Sequence, residues 1–159
     1  MKITVISVGK LKEKYWQAAL EEYRKRLGRY CRLSLIEVAD EKCPEKISPA
    51  EQEIVKAKEA DRIRGHIPRD SLLVTLEIQG KTRSSEQFAS WIDGVPHRGR
   101  DHITFLIGGS LGLDSGLCRS SDLALSFSPM TFPHQLMRII LLEQIYRAFR
   151  INRNEPYHK

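Results

Sequence analysis

Four stretches of this chain carry residue types that could do chemistry, and all lie in its second half. The first is IGGSLG, Ile107 to Gly112, where glycines follow directly on an apolar run. Glycine lets the backbone turn sharply and lets a ligand come close to it. The spacing is neither GxGxxG nor a phosphate-cradling GxxxxGK[ST] loop, so the run is either a plain tight turn or the floor of a nucleotide-like site. A β-branched residue at Gly108 is expected to block such a ligand while leaving the chain folded. The second stretch, ALSFSPMTFPHQ from Ala124 to Gln135, is apolar for a loop. Its Phe127, Met130 and Phe132 require cover, from the core or from a flat bound ring.

The third is a ladder of Arg147, Arg150 and Arg153, with Arg138 nine positions earlier. Planar guanidinium forks suit phosphate. The alternative is that these cations complement the helix dipole, at about 0.3 to 1 kcal/mol each. The fourth is the tail NEPYHK, Asn154 to Lys159. Tails fray unless tied down, but Tyr157 and His158 are of the types that stack on a base or accept a proton. His66, His97 and His102 have no acidic or cysteine constellation beside them and read as surface residues. There is no Ser/His/Asp arrangement, paired carboxylate set or metal-ligand spacing, which argues against hydrolysis. A reaction governed by positioning, such as methyl transfer from an activated sulfonium, fits so sparse a set of functional groups.

The elements that must position these groups alternate. Lys2 to Val8 reads as a strand ending at Gly9, and Glu13 to Leu27 as a helix with Trp16, Ala19, Leu20, Tyr23 and Leu27 on one face. Leu33 to Val38 is a second strand. Ser48 and Glu51 form a capping box around Pro49 that opens a helix to Arg64. Leu72 to Ile78 is a third strand ended by Gly80, and Ser84 with Gln87 caps a helix through Trp91. Ile103 to Ile107 and Leu123 to Phe127 are the fourth and fifth strands, and a final helix runs from Pro133 to about Arg150. Strands alternating with helices give an α/β fold, a parallel sheet with helices on both faces, whose ligand sites lie beyond the carboxyl ends of the strands. The last helix is apolar at Leu136, Met137, Ile139, Ile140, Leu141, Leu142, Ile145, Tyr146 and Phe149. So wide a belt implies either a subunit interface, most simply a two-fold dimer, or a central helix buried within a monomer.

The 159 residues suit a single domain spanning 1–159, and 41% hydrophobic with 29% charged residues is ordinary globular composition. The opening MKITVISVGKLKEK is too charged for a secretory leader, and no apolar run approaches the roughly 20 residues that span a bilayer. Three cysteines, Cys31, Cys43 and Cys118, show neither a disulfide framework nor a zinc pattern. We therefore expect a cytoplasmic protein with no membrane association and no metal. An excess of 26 Lys and Arg over 20 acidic residues, net +6, favours attraction to a polyanion.

Taken in order, VGKLKEKYW, LEIQGKTRSSEQFA, FLIGGSLGL, ALSFSPMTFPHQLMR, LLEQIYRAFRI and the terminal PYHK resemble, end to end, the bacterial large-subunit ribosomal RNA pseudouridine N3 methyltransferases (methyltransferase H type) of the SPOUT superfamily. The resemblance implies a carboxy-terminal trefoil knot, which topology rules alone would count against. It also implies a homodimer and S-adenosylmethionine (SAM) held in the knot beside the partner subunit. Cofactor contacts would fall on Leu76, Gly108, Phe127, Ser128, Pro129, Met130, Thr131 and Phe132. The substrate would be a pseudouridine of large-subunit ribosomal RNA within the ribosome. The phosphate-suited ladder of Arg147, Arg150 and Arg153, read from the residues themselves, is then expected to serve that RNA. Proton acceptors by type are His158, Tyr157 and His134. The chain departs from the family pattern at Leu111, where relatives are often polar, and at Asn154, where they often have Gly.

Overall fold

The computed structural model describes residues 1–157. Five strands, β1 (Lys2–Val8), β2 (Arg32–Val38), β3 (Leu72–Thr82), β4 (His102–Ile107) and β5 (Leu123–Ser126), form one sheet in the order β2-β1-β4-β3-β5, every pair parallel. Four helices connect them, α1 (Lys14–Leu27), α2 (Pro49–Arg64), α3 (Ser85–Asp93) and α4 (Ser115–Arg119), and a fifth, α5 (His134–Asn152), follows β5.

Because side chains alternate along a strand, the sheet supplies two cores. Ile3 and Val5 of β1, Val74 of β3, and Ile103, Phe105 and Ile107 of β4 face α1, α3 and α5. Ile6, Val8, Leu73 and Leu106 point the other way, onto Ala60 and Ile63 of α2 and Leu117 of α4. Helices on both faces of a parallel sheet are the architecture expected from the alternation of elements. Both capping boxes form, at Ser48 with Glu51 and at Ser84 with Gln87.

The structure differs from the sequence pattern in four places. The helix α4 has five residues, too few for an apolar period, and is held by Asp114, whose carboxylate accepts from the amides of Gly116 and Leu117 at 2.9 and 3.2 Å. His102 is half-buried instead of superficial: its Nε2 lies 2.9 Å from the hydroxyl of Thr4. Arg138 does not belong to a cationic helix edge. It is 2% exposed, and it donates from Nη2 to the carbonyls of Val8 and Gly9 at 2.7 Å and from Nη1 to Glu37 at 2.8 Å.

Nor does Gly80 end β3. That strand pairs with β5 through Leu76, leaves the ladder for four residues, and pairs again at Lys81 and Thr82. A Cβ on Gly80 would lie 2.8 Å from the carbonyl carbons of Ala124 and Leu125. Glycine is therefore required by the approach of two strands, and its backbone freedom is secondary. Gly80→Ala is expected to cost about 1 to 3 kcal/mol of unfolding free energy, as overpacking against immobile backbone does, measured by urea denaturation of the two proteins.

Candidate cofactor pocket and tail site

The detour of β3 is one wall of a cavity of about 550 Å³ beyond the carboxyl ends of β3, β4 and β5. Leu76, Glu77 and Ile78 supply that wall. Ile107, Gly108, Gly109, Ser110 and Gly112 supply a second, and Leu125 with the loop from Phe127 into the start of α5 at His134 and Met137 supplies a third. Its volume lies within the range of small-molecule sites, roughly 300 to 1,000 Å³. A second cavity of about 570 Å³ lies between α1, β2 and α5, away from these strand ends.

The glycine run folds as a tight turn: the Gly112 amide donates to the Gly109 carbonyl at 3.1 Å, and Gly112 has φ +80°. A Cβ on Gly108 would sit 2.6 Å from the carbonyl carbon of Gly112 and 2.8 Å from Leu113 N. Glycine at 108 is thus demanded by the chain's own turn. A side chain there strikes backbone before it reaches any ligand, so the expectation that a β-branched variant would leave the fold untouched is corrected.

The apolar loop after β5 meets both of its alternative fates. Phe127 packs against the main core, whereas Met130 is 73% exposed. Ser126 Oγ donates to the carbonyl of Ile78 at 3.0 Å, and the Met130 amide donates to Ser128 Oγ at 3.0 Å, which fixes the loop across the mouth of β3. Of the positions singled out from the sequence, Leu76, Gly108, Phe127, Ser128, Met130, Thr131 and Phe132 line the cavity, and Pro129 does not.

Two polar groups of the wall were not evident from their spacing. Glu77 accepts a short hydrogen bond from the Thr75 hydroxyl. His134, named above only by residue type, stands at the α5 end of the cavity, with its pKa lowered first by burial and then by the charge of Arg138. Its imidazole is therefore neutral at neutral pH and able to take up a proton.

The arginine ladder and Tyr157 form a separate cluster farther along α5. Tyr157 is half-buried, not frayed: its ring meets Tyr146 edge-on at 5.0 Å, its hydroxyl donates to Glu143 at 3.2 Å, and Arg147 Cζ lies 4.8 Å from its centroid. Arg147 pairs with Glu143 at 2.5 Å, and Arg150 Nε lies 2.9 Å from Glu155 at an angle outside hydrogen-bond geometry. Arg153 is exposed, lies 4.6 Å over the Tyr30 ring, and among the described residues forms no ion pair. His158 and Lys159 lie outside the described residues.

Against known proteins, residues 1–158 match the family model described as a predicted SPOUT methyltransferase. The chain belongs to the SPOUT methyltransferase family. It is 57% identical over 159 residues to a ribosomal RNA large subunit methyltransferase H of Bifidobacterium adolescentis. It is 54% identical over 159 residues to the protein of that name from Clostridium kluyveri. Each alignment covers 100% of both chains.

Solved structures are similar in fold at low identity. A probable methylase family protein from Haemophilus influenzae aligns with a TM-score of 0.55 at 12% identity, covering 99% of this chain and 70% of that one. A putative methyltransferase from Legionella pneumophila, in complex with SAM, aligns with a TM-score of 0.50 at 14% identity, covering 93% and 66%. The apolar belt of α5 is largely spent inside this SPOUT domain: Leu141, Leu142, Ile145, Tyr146 and Phe149 are buried, while Leu136, Met137, Ile139 and Ile140 near its start stay half-buried.

The phenol of Tyr157 is pushed up to about 12, first by burial and then by the charge of Glu143, so at neutral pH it holds its proton, which it donates to Glu143. The folded chain binds this proton more tightly than the unfolded chain. The stability it contributes is complete below the ordinary phenol value of about 10 and is lost as pH rises through about 12. An ultraviolet difference titration is expected to show a tyrosine component with that late midpoint, absent in Tyr157→Phe.

Proposed function

We propose that this chain transfers a methyl group from SAM to N3 of a pseudouridine in large-subunit ribosomal RNA, acting in the cytoplasm on the assembled ribosome. The observation that carries the reading is the three-walled cavity at the strand ends, in a chain more than half identical over its full length to named large-subunit methyltransferases. The residues present suit SAM. Leu76, Ile107, Leu125, Phe127 and Phe132 offer apolar faces to an adenine ring, loop amides and carbonyls offer partners to its edge, and Glu77 offers negative charge to a cationic ligand. SAM supplies a methyl group activated on a sulfonium.

The chain's own contribution is to hold donor and base in line and to remove a proton from N3. His134, kept neutral by its surroundings, is suited to accept that proton. Tyr157, with its proton retained, is suited to stack on or donate to the base, and His158 remains a candidate acceptor by type. Arg153 is the arginine freest to meet phosphate. Arg147 and Arg150 share their charge with Glu143 and Glu155, so three cations face two carboxylates.

Assembly as a homodimer is part of the proposal. Tyr157 rests at Glu143, nine residues along α5 from His134, which at 1.5 Å per residue is about 14 Å from the cavity end of the helix. A base cannot touch both groups of one chain at once, whereas a second copy can bring its tail to the first copy's cavity. The half-buried start of α5 offers the apolar surface for such a contact. The resemblance carries the trefoil knot with it: the chain leaves β5 at one edge and crosses the ends of β3 and β4 before Arg138 docks on β1.

Mass mapping of large-subunit RNA from a strain lacking the protein is expected to lose one methylated pseudouridine, and an unchanged map would overturn the assignment. Gly108→Ala is expected to weaken SAM binding by calorimetry at least about tenfold, or about 1.4 kcal/mol, with a lowered melting temperature because the turn itself is displaced. Light scattering is expected to give twice the chain mass.

A further inference from the structure

The carboxy-terminal segment is attached to the rest of the molecule by a residue 125 positions away in sequence, Tyr30. We infer that Tyr30 and Glu155 are positioning residues: together they hold the tail that carries Tyr157 in place for the reaction, without touching substrate or cofactor. The inference rests on the reading above that the tail serves methyl transfer.

The helix α5 stops at Asn152, and the next turn closes as a Schellman motif. The Asn154 amide donates to the Ile151 carbonyl at 3.0 Å and the Glu155 amide to the Arg150 carbonyl at 2.9 Å, the paired bonds that define the motif. It requires a left-handed residue, and Asn154 has φ +53°. Asparagine is one of the few side chains that tolerate this conformation, so the departure from the family's glycine keeps the geometry. The reversal sends Pro156 and Tyr157 back along α5 toward Glu143.

A reversal alone does not fix where the tail lies. Tyr157 holds it to α5 through Tyr146 and Glu143, and Glu155 ties it to the turn after α1: its carboxylate accepts from the Tyr30 hydroxyl at 2.5 Å and sits 2.9 Å from Arg150 Nε. Tyr30 is itself held firmly. It follows the fully buried Leu27, donates its amide to that residue's carbonyl at 2.9 Å, stacks on Phe149 with centroids 5.6 Å apart, and meets Tyr146 edge-on at 5.7 Å. Arg153 closes over the same ring at 4.6 Å. The turn after α1 thus provides an anchored phenol, and the tail provides the carboxylate that binds it. Neither residue lines the cofactor cavity, so losing the bond should free the tail and leave the pocket alone.

The test uses Tyr30→Phe and Glu155→Gln, each in the full chain and in a chain lacking residues 157–159. Single-turnover methyl transfer on ribosomes is read beside SAM titration and amide hydrogen exchange. Each full-length variant is expected to lose about tenfold in rate, the scale of one hydrogen bond to a charged group. The SAM dissociation constant should not move, and the double variant should be no slower than either single one. Exchange should quicken from Asn154 to Tyr157 and not within α5, and in the truncated chain the substitutions should change nothing further. Equal losses in the full and truncated chains, or weakened SAM binding, would show a general structural role and overturn the inference, as would unaltered exchange in the tail. If exchange in the tail responds as described while the wild-type protein methylates no ribosomal RNA, the positioning role stands and the proposed reaction falls.

Discussion

At Gly80 and at Gly108 one stretch of backbone lies against another at distances of 2.6 to 2.9 Å from where a methyl group would be. These two approaches determine the cavity. The first brings β5 hard against β3 and forces Glu77 to Gly80 out of the ladder, so that Leu76, Glu77 and Ile78 turn toward the strand ends. The second folds the segment after β4 onto itself and sets its glycines opposite that wall. The loop from Phe127 to Pro133 then bridges the two, pinned by Ser126 to Ile78. Remove either approach and the three walls no longer face one another.

A second constraint fixes the helix that closes the site. Arg138 is buried with its Nε unpartnered, and its two terminal nitrogens reach the end carbonyls of β1 and the carboxylate of Glu37. Burying a guanidinium costs free energy unless its donors are met, and here three acceptors, at the end of β1 and on β2, meet its two terminal nitrogens. The result is a fixed entry point for α5. Its first turn carries His134 into the cavity wall, and its last turn delivers the tail to Tyr30.

The strand and helix periods, both capping boxes and the alternation that implies a doubly covered parallel sheet were legible in the residues, because each depends on neighbours a few positions apart. The roles of Gly80, Gly108 and Arg138 were not. A glycine that ends a strand and one that lets another strand pass have the same sequence signature, and only the position of Ala124 and Leu125 distinguishes them. Arg138 shares a helix with Arg147, Arg150 and Arg153, and the residues that bury it come from β1 and β2. Resemblance supplied the cavity residues by number, yet Pro129 is exposed outside the wall, while Glu77 and His134 stand within it.

The strand order has a consequence for how the molecule is made. β4 is the third strand in space and the fourth in the chain, inserted between β1 and β3, so a growing chain cannot join those two strands until residue 107 has emerged from the synthesising ribosome, nor complete its sheet until β5 has followed at residue 126. The cavity waits longer, for Met137, and the tail anchored by Tyr30 longer still. Domains fold as units during synthesis, and in this one the amino-terminal half is a platform without a site. A chain interrupted anywhere before α5 therefore has neither the pocket, whose last wall includes His134 and Met137, nor the tail that follows the helix.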